Sequence, residues 1–172
     1  MAEVLLRERL GRLGIDANVS SAGEMIGGVQ ASGGSVRTMA ARGLDIADHV
    51  SRHVTPHMLA SADLVLAMSR RHLRYALAME PTAFERTFTV KELARRGAAV
   101  GPRREQSLSA WLREVHKGRS TVALLGEDVA DDVADPMGKP DAQYEHTAVE
   151  LEALLDRIVG LVFASADRRE SA

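Results

Sequence analysis

The chain contains no cysteine. That removes disulfides, thiolate metal sites and a thiol nucleophile from residues 1–172 in one step. Aromatic residues make up only 3% of the sequence, so a slot that stacks on a planar ring is poorly supplied. No apolar run approaches a membrane span and no signal-peptide pattern is evident, so we expect a cytoplasmic protein with no membrane partner. Neither sign of charge prevails: 22 basic and 24 acidic residues leave a net charge of -2. Bulk charge therefore offers nothing to nucleic acid or to an acidic membrane surface. Paired basics such as Arg70-Arg71, Arg95-Arg96 and Arg103-Arg104 read as solvated faces. Gly27-Gly28 and Gly33-Gly34 belong to no nucleotide loop, because neither G-x-G-x-x-G nor a Gly-Lys-Ser/Thr ending is present. There is no internal repeat, low-complexity tract or linker.

What is there is an ordinary globular composition. Hydrophobic residues are 45% and charged residues 27% of 172, enough for one domain with a real core. Val4, Leu5, Leu6 and Leu10 form an apolar stripe, predicting an amphipathic helix from the first residue, with Gly11 and Gly14 near its exit. Asn18–Ala22 is expected to be a short strand ending at Gly23. Ser35 is expected to cap a helix through Met39, Ala40 and Ala41 that Gly43 closes. Thr55-Pro56 opens another helix. Leu64–Met68 is a continuous apolar run, the pattern of a buried parallel strand. Ser69 then caps a helix with Leu73, Ala76 and Leu77 on one face.

Phe84 to Thr87 is expected to be extended, and Thr89-Val90-Lys91-Glu92 is a capping box. Gly97 to Gln106 reads as a polar connection. Ser107 opens a helix with Leu108, Trp111, Leu112 and Val115 at helical spacing, closed by Gly118. A long helix is expected from about Ala142 to Phe163. Strands alternating with helices give an α/β fold with a parallel sheet.

Two clusters could carry chemistry. On residues alone, Asp131, Asp132 and Asp135 read as a solvated acidic turn. His49, His53 and His57 recur every four positions, yet Thr55-Pro56 starts a new helix between them and they cannot share a helical face. No metal and no cofactor are expected.

Several short stretches nevertheless fall in a telling order. They are Met1-Ala2-Glu3 opening a helix, Ser20-Ser21-Ala22-Gly23, Arg42-Gly43-Leu44-Asp45 and His49-Val50-Ser51-Arg52. Ala62–Met68, Phe88–Leu93 and Asp132-Val133-Ala134-Asp135-Pro136-Met137-Gly138 follow, then Tyr144 and the closing helix. Together they resemble the low-molecular-weight protein-tyrosine-phosphatase family over nearly the whole chain. The resemblance implies a three-layer αβα fold with a parallel sheet, and hydrolysis of phosphotyrosine or a related phosphomonoester through a cysteinyl-phosphate intermediate. It makes Asp135 the general acid and base, stiffened by Pro136, because a residue before proline is driven extended. It assigns Ser21 and His49 to a network supporting the phosphate loop. Ser21, His49, Asp135 and the N–H groups of Met1 to Glu3 should meet in one cleft at the carboxyl ends of the strands. A phosphorylated protein or small phosphomonoester is the partner it implies.

Two features depart from the family. Glu24-Met25-Ile26-Gly27-Gly28 and Met137-Gly138 stand where many members carry an aromatic. The family's C-x5-R-[ST] loop and the strand before it precede the first helix, and this chain starts at the equivalent of that helix. That strand lies inside the family's sheet, so losing it leaves edges unpaired. We therefore expect residues 1–172 to be a single, N-terminally incomplete domain, inactive as given. The alternative is a catalytically dead interaction or regulatory module.

Overall fold

The computed structural model of the protein describes residues 1–25, 27–122 and 129–163. The elements run α1 (Ala2–Arg12), α2 (Gly33–Ala40), α3 (Pro56–Ser61), β1 (Val65–Ala67) and α4 (Arg70–Met79). A 3-10 helix (Pro81–Arg86), β2 (Thr87–Thr89), α5 (Val90–Val100) and α6 (Leu108–His116) follow. A second 3-10 turn (Val129–Asp131) precedes α7 (Asp141–Phe163). They gather into two compact units. One takes residues 1–53 and 134–156; the other takes 54–133 and the chain from Arg157 onward.

In the first unit α1 buries Leu5 and Leu10 and half-buries Val4 and Leu6, as its stripe predicts. It ends at Gly14, whose φ of 63° lets Ile15 N–H reach back to the Leu10 carbonyl at 2.9 Å. Gly43 closes α2 in the same way, with Leu44 N–H on the Met39 carbonyl at 3.0 Å. The start of α2 differs from expectation. Ser32, not Ser35, is the cap, and its Oγ accepts the Ser35 N–H at 3.3 Å. Gly33 and Gly34 are thus the first turn of the helix. Gly34 is required there, since a Cβ would sit 2.5 Å from the Tyr144 ring. The α7 residues Tyr144, Ala148, Leu151 and Leu155 complete the buried set of this unit. Arg42 clamps α7 by forking onto Glu145 (2.6 and 2.8 Å) and Glu152 (3.1 and 3.2 Å).

Asn18–Ala22 is not a strand. A strand needs a backbone partner, and here side chains take that place. Arg7 donates to the Val19 carbonyl at 2.9 Å and Arg52 Nε to the Ser21 carbonyl at 2.7 Å. Gly23 then makes one bridge to His53, and residues 28–31 run antiparallel to residues 49–51.

In the second unit β1 and β2 pair in parallel, Val65 with Thr87, Leu66 with Phe88 and Ala67 with Thr89. Their connection contains α4, as parallel pairing requires. The predicted caps are in place: Thr55, Ser69, Thr89 and Ser107 each accept the N–H three residues on. Two stretches differ. Phe84 lies in a 3-10 helix, because Pro81 and the Glu80 side chain on Thr82 N–H start a turn there. Gly97 belongs to α5, which continues to Val100, and it leaves room for Trp111, whose ring would lie 3.0 Å from a Cβ. Trp111, Leu112 and Val115 of α6 are buried, with Trp111 Nε1 donating to the Gly101 carbonyl at 2.9 Å. Phe88, Val90 and Leu93 are fully enclosed. No helix among the described residues is long and apolar enough to cross a membrane.

Candidate active site

The first turn of α1 forms one wall of a cavity of about 670 Å³ in the first unit. Glu3 and Arg7 stand one helical turn apart and pair. Ser21 lines the same cavity and donates its hydroxyl to the Glu3 carboxylate. Burial alone would raise the Glu3 carboxyl. Hydrogen bonds from Ser21 and Arg7, with the charges of Arg7 and His49, outweigh it and hold the group below its ordinary range.

His49 lines the cavity as well. Its backbone is pinned at both ends, N–H to the Ile46 carbonyl at 3.1 Å and carbonyl to Ala31 N–H at 3.2 Å. Ser21 and His49 are therefore brought to one cavity, Ser21 exposed and His49 half-buried. Ser21 bonds Glu3 there, and His49 contributes charge to that carboxylate.

The acidic turn divides by role. Asp131 holds Arg95 with both oxygens at 3.1 Å, and Asp132 accepts Arg70 N–H at 2.7 Å. Asp135 alone is left exposed. Its Oδ1 accepts Met137 N–H at 2.9 Å, so the carboxylate folds over the turn that Pro136 begins. Met137 reaches the cavity wall, whereas Asp135 itself is not among the lining residues. The buried Thr147 donates to the Ala134 carbonyl at 3.2 Å and anchors the turn from behind.

Of the three spaced histidines, His53 donates Nδ1–H to the Met25 carbonyl at 3.3 Å and His57 lies in the first turn of α3. No group of three or more His, Cys, Asp or Glu able to hold a metal occurs among the described residues. The sequence places the backbone of Met1 to Glu3 at the site but not the side chains of Glu3 and Arg7. Their i, i+4 spacing at the start of a helix was the available signal. Their tie to Ser21 and Val19 spans 18 and 12 positions and leaves no periodic trace.

The backbone defines an α/β phosphatase fold. A low molecular weight protein tyrosine phosphatase from T. tengcongensis is 29% identical, with a TM-score of 0.68 over 92% of this chain and 86% of that one. A mutant of YwlE from Bacillus subtilis is 25% identical, with a TM-score of 0.67 over 98% and 88%. A mutant of the YwlE arginine phosphatase with a phosphorylated active-site serine is also 25% identical, at 0.67 over 98% and 86%. Comparison with curated protein sequences returns no match. The profile of the low molecular weight phosphotyrosine protein phosphatases matches residues 1–99, and the chain belongs to that family.

Proposed function

We propose that the site serves hydrolysis of phosphotyrosine or a related phosphomonoester through a cysteinyl-phosphate intermediate, and that residues 1–172 alone do not complete it. The carrying observation is the shared cavity of Ser21, His49 and the first turn of α1, with Met137 of the Asp135-Pro136 turn in its wall. In this reading Asp135 protonates the leaving oxygen and later takes a proton from the attacking water. Pro136 fixes the approach, and Ser21 and His49 steady the phosphate-binding backbone. The nucleophile must be a thiolate and the oxyanion grip an arginine fork, and no cysteine occurs among the 172 residues. No metal or cofactor enters the reaction, and the setting is cytoplasmic. The partner is a phosphorylated protein or a small phosphomonoester.

The cavity wall bears on substrate choice. Met25, Val29 and Met137 line it with Asp45 and Asp48, and no Phe, Tyr or Trp does among the described residues. That wall suits the linear guanidino stem of a phosphoarginine, a phosphoramidate, better than a phenyl ring, and one of the similar structures is an arginine phosphatase. A catalytically dead interaction or regulatory module is the reading that the absent cysteine favours instead. The test joins an apolar strand and a C-x5-R-[ST] loop ahead of Met1 and assays the fusion on p-nitrophenyl phosphate and phosphoarginine. Turnover lost on Asp135→Asn supports the phosphatase reading. A folded fusion without turnover on either supports the dead module.

A further inference from the structure

The second unit buries a charged cluster that the proposed reaction does not use. Arg119 is only 3% exposed and pairs both oxygens of Glu92, at 2.8 and 3.0 Å. It also donates to the Phe84 carbonyl at 3.0 Å and the Thr87 carbonyl at 2.8 Å. Its guanidinium lies 4.7 Å from the Phe84 ring centre and 4.1 Å from that of Phe88. One contact is left, 3.1 Å from Arg119 Nη1 to His116 Nδ1. A guanidinium has only donors, so Nδ1 must be the acceptor, and the proton of a neutral ring sits on Nε2. The ring is further fixed edge-on to Phe84 at 4.6 Å.

We infer that His116 is an acid-sensitive latch: neutral, it holds the Arg119 turn at the end of α6 against β2 and the 3-10 helix, and protonated, it loosens that turn. Protonation removes the acceptor lone pair and sets a second cation against a buried one. The groups around the ring are Arg119 from the turn, Arg96 and Glu92 from α5, and Glu85 from the 3-10 helix. Arg96 donates Nε to the Val115 carbonyl and Nη2 to the Lys117 carbonyl, and its charge opposes protonation of the ring. Glu85 and Glu92 attract a protonated ring, Glu92 with both oxygens already bonded to Arg119, and burial with the two arginines outweighs them. Burial, then Arg119, lowers the proton affinity of His116 below that of a free imidazole. A group depressed in the folded state stabilises the fold above its unfolded value near 6.5 and loses that contribution as pH falls. Each factor of ten in proton affinity removed by folding becomes a factor of ten lost from the folding equilibrium once His116 is protonated.

The experiment has two arms on the full chain. Ring ¹⁵N NMR should find Nδ1 unprotonated and Nε2 protonated at pH 7.5, with a midpoint below 6.5. Urea unfolding should show the wild type losing severalfold more of its folding equilibrium between pH 7.5 and 5.5 than His116→Gln, which keeps an acceptor but does not titrate. A proton on Nδ1 at neutral pH, a midpoint at or above 6.5, or parallel pH profiles would overturn the latch. If His116→Gln does not fold, the NMR arm decides alone.

Discussion

Ser21 donates a hydrogen bond from its hydroxyl to the carboxylate of Glu3, 18 residues earlier, and so fastens a segment outside any sheet to the first turn of a helix. Arg7 adds to the same carboxylate and to the Val19 carbonyl. Glu3 thus does for residues 19–21 what a neighbouring strand would otherwise do.

Glu3→Gln should therefore lower stability at neutral pH by about 1 kcal/mol, the scale of a partly exposed charge-assisted contact. The sign with pH follows from the direction of the shift. A carboxyl held below its ordinary range stabilises the fold above that range, and the contribution is lost as pH falls through the folded value. Urea titrations from pH 7 to pH 3 should show the variant with a shallower acid limb than the wild type. Coincident limbs would remove Glu3 from the linkage.

Gly34→Ala should cost about 1–3 kcal/mol by overpacking, since its Cβ meets three atoms of the Tyr144 ring at 2.5–2.7 Å. Elsewhere in a helix Gly to Ala stabilises, so the sign is diagnostic. Thermal melts of Gly34→Ala, Tyr144→Ala and the double variant measure it. The double variant should recover part of the loss, because removing the ring removes the clash. Additive losses would mean the two residues do not meet.

Four helix caps are legible in the sequence because capping is local, whereas that of α2 lies at Ser32 and not at Ser35. Thr55, Ser69, Thr89 and Ser107 each need only the N–H three residues on, and each was read correctly. Gly34 and Gly97 lie inside helices that the sequence starts later or ends earlier, for the opposite reason. What selects glycine there is the ring of Tyr144 or Trp111, 110 and 14 positions away. Residues 18–22 look like a strand by pattern, yet pairing is not encoded in the segment itself, and Arg7 and Arg52 took its carbonyls. Of the site, Ser21 and His49 could be placed by resemblance, whereas Glu3 and Arg7 emerge only when the chain is folded.

Glu92→Gln should be severe. It leaves the Arg119 guanidinium buried between two phenyl rings without its counter-charge, and breaking one side of such a pair costs about 3–5 kcal/mol. Replacing both partners, as Glu92→Leu with Arg119→Met, should cost less than Glu92→Gln alone. Urea unfolding of the three proteins supplies the ordering. A mild Glu92→Gln would show that the pair is solvated in solution.

The last prediction concerns turnover. Residues 1–172 should hydrolyse p-nitrophenyl phosphate no faster than a blank, because a general acid contributes about 10²–10⁴-fold while phosphomonoester hydrolysis needs up to about 10²¹-fold. In the proposed reading Asp135 acts once a nucleophile is supplied. Asp135 Oδ1 is held by Met137 N–H at 2.9 Å, so its other oxygen is steered by a fixed turn. In the fusion carrying a C-x5-R-[ST] loop, Asp135→Asn should slow hydrolysis about 10²–10⁴-fold for a poor leaving group such as phenol. The loss should shrink for p-nitrophenol, which departs as a stable anion and needs little protonation. A series of aryl phosphates therefore reads the role directly: the variant's log kcat should fall more steeply with leaving-group pKa than that of the parent fusion. Equal slopes would assign Asp135 to the turn alone.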